Sequence, residues 1–323
     1  MIDPYSACRL CPHACGVDRN AGEIGVCEEG VQMRIASAGI HRGEEPIISV
    51  VDDTYTGSGT IFFSGCSLGC HDCQNIQISR KTRSLGRTVS SAEFAAVCIE
   101  LQNRGAANIN LVTGTHFIPS IIEGLVEAKA SGLKIPIVWN TSSFESEEGM
   151  SLLFPHIDIF LADLKIIDEA SYSLFCDCSE YIPSAPDAIR QMVEGRELSF
   201  DGDRLLTGVI FRHLFLPGQL KNTKEVLSWF KEHIIDTTIL SLMVQYIPVR
   251  DDSVIGRTTS VDEYAELLEI LEELGIEDGF LQELGEEDSW IPDFSKINPF
   301  PGDFYTPVWH YSDQASGPIE VPS

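Results

Sequence analysis

The sequence has few basic residues and no long apolar run, and both deficits exclude classes of protein. Only 22 Lys and Arg stand against 49 Asp and Glu in 323 residues, which gives a net charge of −27. Such a surface repels phosphate backbones, so no nucleic-acid partner is expected. No stretch approaches the ~20 apolar residues that span a bilayer. The first residues lack the basic and apolar regions of a signal peptide. We therefore predict a cytoplasmic protein with no membrane partner.

The signatures of several enzyme classes are also missing. There is no Gly-rich phosphate-binding loop and no nucleophile elbow around a serine. Zinc-dependent hydrolysis would need His and carboxylate ligands in a shared pocket, and the eight histidines do not show that spacing. Zinc-dependent hydrolysis is therefore only a rival hypothesis.

Cysteine, in contrast, is abundant and clustered. Stable disulfides are uncommon in the cytoplasm, where clustered thiols most often bind metal. Cys98 lies on the apolar face of a predicted helix and is expected in the core. Cys176 and Cys178 form a C-x-C pair. The default interpretation is a thiol pair without a functional role. The minority hypothesis is that the pair quenches a radical or supplies an extra metal ligand. The other seven cysteines form two groups: Cys8, Cys11, Cys15 and Cys27, and Cys66, Cys70 and Cys73.

The central group has the spacing C-x3-C-x2-C. Three thiolates can bind three irons of a [4Fe-4S] cluster and leave the fourth iron open. The open iron can chelate the amino and carboxylate groups of S-adenosylmethionine (SAM), whose reductive cleavage yields a 5′-deoxyadenosyl radical. Gly65 and Gly69 suit a loop that wraps closely around a cluster. The alternative is a zinc knuckle completed by His71 or a distant Cys, although zinc sites usually show pairs such as C-x2-C.

The N-terminal group has the spacing C-x2-C-x3-C-x11-C. Four soft ligands suit either a structural zinc ion or an auxiliary iron–sulfur cluster, and spacing alone does not choose between them. A set of free thiols is the remaining alternative. We predict a second metal site, with a structural role.

Strands and helices alternate from residue 59 onward, which predicts a parallel sheet of βαβ units. Six strands are too few for a closed eight-stranded barrel, so we predict an α/β fold with a partial (β/α)6 TIM-like barrel. The predicted strands lie at 59–64, 108–113, 135–140, 157–165, 205–216 and 238–247. The predicted domains are a Cys-rich, metal-binding N-terminal extension at 1–50, the barrel at 51–275 and an irregular C-terminal extension at 276–323.

Polar residues collect where these strands end. The second strand ends in Thr113-Gly-Thr-His116, the third in Asn140-Thr-Ser-Ser143, and Asp163 and Lys165 end the fourth. Parallel α/β folds place their chemistry at this edge, so a single active-site rim is expected. Asp163 and Lys165 occupy alternate positions and should both point into the barrel. A buried pair of this kind needs partners, which a zwitterion such as SAM would supply. Two roles stay open for His116: it could form a hydrogen bond at the rim or contact the substrate.

The segment Gly57–Asn75 (GSGTIFFSGCSLGCHDCQN) resembles the cluster-binding segment of radical SAM proteins related to the pyruvate formate-lyase activating enzyme, the PflX-like subgroup. The likeness covers nearly the whole chain, through NINLVTGTHF, IVWNTSSFE, DIFLADLK, FRHLFLPG, SLMVQYIP and the N-terminal cysteine segment. It implies that Cys66, Cys70 and Cys73 hold the catalytic [4Fe-4S] cluster. It also implies a reductant such as flavodoxin or ferredoxin. The implied substrate is a glycine Cα–H in a partner protein, with another peptide or a small molecule equally open.

The resemblance also implies which residues surround SAM. Asp163 and Lys165 match residues that contact SAM directly or through a bound cation. Asn140 and Thr141 match the pair that helps to form the cation site, although Asn140 replaces the usual Asp and lowers the charge there. The sequence also implies altered contacts, because Asp72 replaces the usual aromatic residue.

Five further residues complete the predicted SAM site. Thr113, Gly114 and Thr115 stand where Gly-Gly-Glu is usual, which again alters the expected contacts. Arg212 on the fifth strand and Gln245 on the sixth are expected to reach SAM or substrate.

The main alternative to this function is a non-catalytic iron–sulfur or zinc protein, acting as an electron carrier or a scaffold. It predicts a metal site with four protein ligands and no response to SAM.

Overall fold

One eleven-stranded sheet organises the chain. The computed structural model describes residues 3–52, 54–79, 84–169, 171–249, 255–285 and 291–313. The sheet order is β10-β9-β8-β6-β5-β4-β2-β1-β11, with β3 paired to β1 and β7 paired to β8. The strands are β1 Arg34–His41, β2 Gly57–Phe63, β3 Arg87–Thr88, β4 Ala106–Val112, β5 Ile137–Thr141, β6 Ile159–Asp163, β7 Ser199–Asp201, β8 Arg204–Leu214, β9 Ile239–Met243, β10 Phe280–Leu281 and β11 Tyr305–His310.

The parallel part of the sheet consists of the six predicted strands, with the short β10 added at one edge. β2, β4, β5, β6, β8, β9 and β10 pair in parallel. β1 and β11 extend the other edge through antiparallel pairing. The sheet therefore ends at β10 and β11 and does not close. The predicted fold class, an α/β open partial barrel with a Cys-rich N-terminal extension, is confirmed.

Eight α-helices lie in the described residues. Ser90 and Ser260 form capping boxes with Glu93 and Glu263 at the starts of α2 and α8. No helix in this part of the chain has the length and apolar character needed to cross a membrane. The helices are α1 Ile76–Ser79, α2 Ser91–Asn103, α3 Ile118–Ala130, α4 Glu147–Leu153, α5 Tyr172–Phe175, α6 Tyr181–Val193, α7 Leu220–His233 and α8 Val261–Leu274.

The loop between β1 and β2 fills the interior of the barrel below the site described next. Ile48 is fully buried in an apolar cluster with residues of β5, β6 and β8, among them Val138 and Ile210. Asn108 on β4 donates a hydrogen bond from Nδ2 to the Ile48 carbonyl at 2.6 Å. The same loop carries Glu44 and Glu45 into the barrel.

Three strands lie in the predicted terminal extensions. β1 falls within the N-terminal 50 residues, and β10 and β11 fall within the C-terminal extension. The pairing of β1 with β11 is supported by a 2.7 Å hydrogen bond between Ser37 Oγ and the buried Tyr305 hydroxyl. The domain boundaries stay a prediction. Residues 286–290 and 314–323 of the C-terminal extension lie outside the described residues.

Candidate functional site

A cavity of about 560 Å³ opens at the carboxyl ends of the parallel strands. Its volume lies within the usual range for small-molecule and cofactor sites. Because strand ends from across the sheet meet here, residues far apart in sequence come to line one space. Ten residues singled out from the sequence are among its walls: Cys66, Cys70, Cys73, Thr113, Asn140, Thr141, Asp163, Lys165, Arg212 and Gln245.

The loop that carries the three central thiols follows β2 and depends on two glycines. Gly65 and Gly69 have φ values of +83° and +71°, which side chains other than glycine rarely adopt. A Cβ atom on Gly65 would also lie 2.6 Å from Glu29 Cγ. The Leu68 backbone N–H donates to Cys66 Sγ at 3.4 Å, and Ser79 Oγ donates to Cys73 Sγ at the same distance. The loop therefore turns its thiols into the cavity and orients two of them by hydrogen bonds.

The donor set of this loop fits an iron–sulfur cluster. Burial raises the pKa of the Cys66 thiol and raises that of Cys70 well above its usual range, while the Lys165 ammonium acts in the opposite direction. The three sulfur atoms do not all lie within 4.8 Å of one another. Sulfurs on a single tetrahedral zinc ion would be about 3.8 Å apart. Three soft ligands spread more widely around one cavity suit a multi-iron cluster.

A buried ion network stands beside these thiols. Asp163 accepts hydrogen bonds from Lys165 Nζ and from Arg212 Nε, each at 2.7 Å. Burial acts to raise the pKa of Asp163, but Arg212 and Lys165 outweigh it and hold the pKa below its usual value. Burial likewise opposes the charge on Lys165, but Asp163 and then Cys70 raise its pKa above the usual value. Both side chains are therefore charged at neutral pH.

Arg212 connects this network to three residues on other elements. Its Nη2 donates to Asn140 Oδ1 at 2.6 Å, so the Asn that replaces the expected Asp is held by a cation of the protein itself. Its Nη1 lies 3.5 Å from Glu45 Oε1 and 3.7 Å from Glu44 Oε2. Ser241 Oγ donates to the same Glu45 oxygen at 3.2 Å.

Glu44 and Glu45 were not identified from the sequence. Both line the cavity, where burial and the neighbouring Glu45 raise the pKa of Glu44 to about 7, against the attraction of Arg212. They belong to a loop without periodicity, and only the course of the chain under the barrel brings them to Arg212. Their one sequence signal is the adjacent acidic pair in Gly43-Glu-Glu-Pro46.

The end of β4 is arranged around a third unanticipated carboxylate. Thr113 lines the cavity with a φ of +59°. Thr115 instead donates from Oγ1 to the buried Glu145 Oε1 at 2.8 Å. The same oxygen accepts from Thr141 Oγ1 at 2.6 Å and from Trp139 Nε1 at 3.0 Å. Glu145 thus ties the loops after β4 and β5 together.

Other residues at this rim have partners within the protein. A Cβ atom on Gly114 would lie 2.6 Å from Ile121 Cδ1, so this glycine permits close packing. His116 is buried and donates from Nε2 to the Ser64 carbonyl at 2.8 Å. Gln245 donates from Nε2 to the Glu283 carbonyl at 2.9 Å, and Asp72 lines the cavity. The roles of the predicted SAM contacts stay predictions.

The N-terminal cysteines lie together on a loop packed against the barrel. Burial raises the pKa of Cys11 to about 12, and the other three thiols add to the effect through their charge. Arg19 is buried and holds the loop in place: its Nη1 donates to the His116 carbonyl at 2.6 Å, and its guanidinium lies 4.5 Å from the Tyr5 ring centroid. No three of the four sulfurs lie within 4.8 Å of one another.

Cys98, Cys176 and His213 lie outside the two cysteine loops. Cys98 is fully buried in the main apolar core, as predicted. Cys176 is buried close enough to Cys66 and Cys70 to affect their electrostatics. His213 faces away from the cavity and is hydrogen-bonded to the Leu164 carbonyl at 2.7 Å and to Thr223 Oγ1 at 2.9 Å.

No family model matches the chain. The uncharacterized protein MJ0674 of Methanocaldococcus jannaschii is 26% identical over 280 residues, covering 84% of this chain and 76% of that protein.

Several solved structures share part of the fold. SuiB of Streptococcus suis bound to S-adenosylmethionine has a TM-score of 0.48 at 11% identity, covering 68% of this chain and 48% of that one. SuiB bound to the precursor peptide SuiA has a TM-score of 0.47 at 12% identity, over 68% and 46%. The FeFe-hydrogenase maturase HydG of Carboxydothermus hydrogenoformans has a TM-score of 0.47 at 12% identity, over 69% and 52%. The matched region thus spans about half the length of these proteins.

Proposed function

We propose that the protein is a radical SAM enzyme with its reactive centre in the cavity described above. When bound, a [4Fe-4S] cluster and SAM would supply reductive cleavage of the sulfonium and a 5′-deoxyadenosyl radical that abstracts hydrogen from a substrate. The observation that carries the proposal is the convergence of three thiols, Cys66, Cys70 and Cys73, with the Asp163–Lys165 pair in one cavity. Three thiols hold a cluster with one iron open to a further ligand.

The charged residues of the cavity would orient a zwitterionic ligand. Asp163 and Lys165 present opposite charges 2.7 Å apart, and each can take a partner of opposite sign from an amino acid moiety. Arg212 fixes the Asp163 carboxylate from the other side, also at 2.7 Å. Thr141 lies at the same edge with its hydroxyl held by Glu145. Because these side chains are already held in place, less conformational entropy is lost when a ligand binds.

Apolar side chains would keep water away from a radical. Leu68, Phe175, Leu214 and Met243 line the same cavity as the charged residues. Exclusion of water from such a site prevents side reactions of reactive intermediates. The protein's tasks are therefore orientation and shielding.

We further propose that the four N-terminal thiols hold an auxiliary iron–sulfur cluster. Four thiolates on one loop suit such a cluster, and a structural zinc ion is the alternative. The close packing of their loop through Arg19 supports a structural role.

The finer assignments rest on the sequence resemblance. They are membership of the PflX-like subgroup, an activating-enzyme-like reaction on a glycine Cα–H or another peptide or small molecule, and electron supply by flavodoxin or ferredoxin. A cytoplasmic location is a separate proposal, made from the composition of the chain.

The proposal is tested with the full chain purified without oxygen and reconstituted with iron and sulfide. We expect an EPR signal of the reduced [4Fe-4S] cluster that changes when SAM is added, together with formation of 5′-deoxyadenosine. Cys66→Ala should lose the SAM-responsive signal and the product. Cys98→Ala is the matched control, because this thiol is buried in the core away from the cavity, and it should keep both.

A cluster that does not respond to SAM and gives no 5′-deoxyadenosine would refute the enzyme proposal. The protein would then be the non-catalytic carrier or scaffold, and the departures at Asp72 and Thr115 would mark the lost SAM contacts.

A further inference from the structure

A third group of metal-ligating side chains lies where the N-terminal loop meets the segment before α6. His13 is located between Cys11 and Cys15, whereas Cys178 and Glu180 lie between α5 and α6. A ring nitrogen of His13, Cys178 Sγ and a carboxylate oxygen of Glu180 lie within 4.8 Å of one another. Within the described ranges, no other three His, Cys, Asp or Glu side chains are grouped so closely.

We propose that His13, Cys178 and Glu180 bind a zinc ion that is distinct from both cysteine clusters. Imidazole, thiolate and carboxylate are the three ligand types that zinc takes in proteins. Bond lengths of about 2.0 to 2.3 Å to a central ion place such ligands about 3.3 to 3.8 Å apart. The three atoms are already within 4.8 Å, so small side-chain rotations bring them onto one ion.

The surroundings of His13 prepare it for this role. Its Nε2 donates a 2.8 Å hydrogen bond to the Ser67 carbonyl, which leaves Nδ1 as the nitrogen with a lone pair for a metal. The ring also packs edge-on against Phe144, with centroids 5.1 Å apart and an interplanar angle of 80°. A metal-binding imidazole that donates its other N–H to a backbone carbonyl is a common arrangement, because it fixes both the tautomer and the ring orientation.

Cys178 and Glu180 form the other half of the site. The Cys178 thiol is only 3% exposed, yet it donates to Glu180 Oε2 at 3.4 Å. The thiol proton therefore occupies the space between sulfur and oxygen where a cation would bind. Replacing the proton with a divalent ion would neutralise thiolate and carboxylate together. Glu180 is exposed, so a water molecule can complete the tetrahedron from outside.

The location suggests what the ion would do. His13 belongs to the N-terminal loop, and the carbonyl that it contacts belongs to Ser67 in the loop between Cys66 and Cys70. Cys178 and Glu180 belong to the segment that leads into α6. An ion here would fasten the N-terminal loop to the segment before α6, and the His13 hydrogen bond would link both to the central cysteine loop.

The test measures zinc and iron in the reconstituted full-length protein after removal of weakly bound metal. We expect one zinc per chain at this site, and X-ray absorption at the zinc edge should show one sulfur with nitrogen and oxygen neighbours. Cys178→Ala should lose this zinc with iron unchanged. Glu180→Gln, at an exposed position that does not endanger folding, should weaken zinc binding by more than about tenfold. Glu148→Gln, on another exposed carboxylate, should bind zinc normally.

Four results would overturn the proposal. One is no zinc in the unmodified protein. Another is zinc surrounded by three or four sulfurs, which would place it at the N-terminal cysteines. The third is zinc retained in both Cys178→Ala and Glu180→Gln. The fourth is iron lost together with zinc in Cys178→Ala, which would make Cys178 a cluster ligand. None of these results depends on SAM cleavage, so this proposal and the proposed function can fail separately.

Discussion

The two cysteine loops use the same ligand atom in different surroundings. The central loop, Cys66 to Cys73, faces a cavity that also contains Lys165, Asp163 and Arg212. The N-terminal loop, Cys8 to Cys27, is held against the barrel by Arg19, and Cys27 is itself buried. One loop therefore adjoins space for a second ligand, and the other adjoins packed protein.

This difference is what we expect between a reactive site and a structural one. Cysteine spacing predicts metal ligands in both loops, but reactivity requires an open coordination position and groups that orient what binds there. The central loop meets that requirement, because its three thiols lie beside the ion network of Asp163, Lys165 and Arg212. The N-terminal loop, with four thiols beside the buried Arg19 guanidinium, does not. The predictions below test the contrast, beginning with the largest expected effect.

Removing one thiol from each loop should give opposite phenotypes. Cys70→Ala should reduce 5′-deoxyadenosine formation to background, because the cluster loses one of its three ligands. Cys11→Ala should retain SAM-dependent cleavage in the fraction that folds but should lower thermal stability markedly, because binding energy of a structural metal is folding energy. Anaerobic melting curves and product assays on the same preparations measure both. Equal loss of activity at equal stability in the two variants would contradict the comparison.

Removing the central cation of the cavity, Arg212, should strongly lower the stability of the protein. Arg212→Met would leave Asp163, Glu44 and Glu45 buried without their guanidinium, which destabilises a protein by about 3–5 kcal/mol. Arg212→Lys keeps the charge and should lose less. The free energy of unfolding in urea measures the effect. A stability unchanged in Arg212→Met would show that the network does not bind its carboxylates as described.

The sequence predicted the cavity edge but not what lies beneath it. Alternation of strands and helices located six strands, and the carboxyl ends of parallel strands meet by geometry, so Asn140, Asp163 and Arg212 could be predicted at one rim. Glu44 and Glu45 could not, because their loop has no period and reaches Arg212 only through tertiary structure. β11 was missed for the same reason, since its pairing with β1 joins residues more than 260 positions apart.

Glu44 should make stability depend on pH. Its pKa in the folded protein is raised from 4.5 to about 7, so the folded state holds a proton that the unfolded state releases. Stability from this group is present below about pH 4.5 and is lost as the pH rises toward 7. Glu44→Gln stays neutral, so its stability relative to the unmodified protein should increase between pH 5 and 8, by about 3 kcal/mol at most. Urea unfolding at both pH values measures the difference, and parallel pH profiles would refute the raised pKa.

The smallest effect is expected at the anchor of the N-terminal loop. The Tyr5 hydroxyl lies 2.8 Å from Ser120 Oγ on α3, and the Arg19 guanidinium stacks on its ring. Tyr5→Phe keeps the ring and removes the hydrogen bond, so it should cost about 1 kcal/mol of stability. SAM cleavage should not change, because the central loop and its cavity are untouched. If this variant instead lost activity at nearly full stability, the N-terminal loop would have to communicate with the reactive site, and the contrast between a structural and a reactive loop would fail.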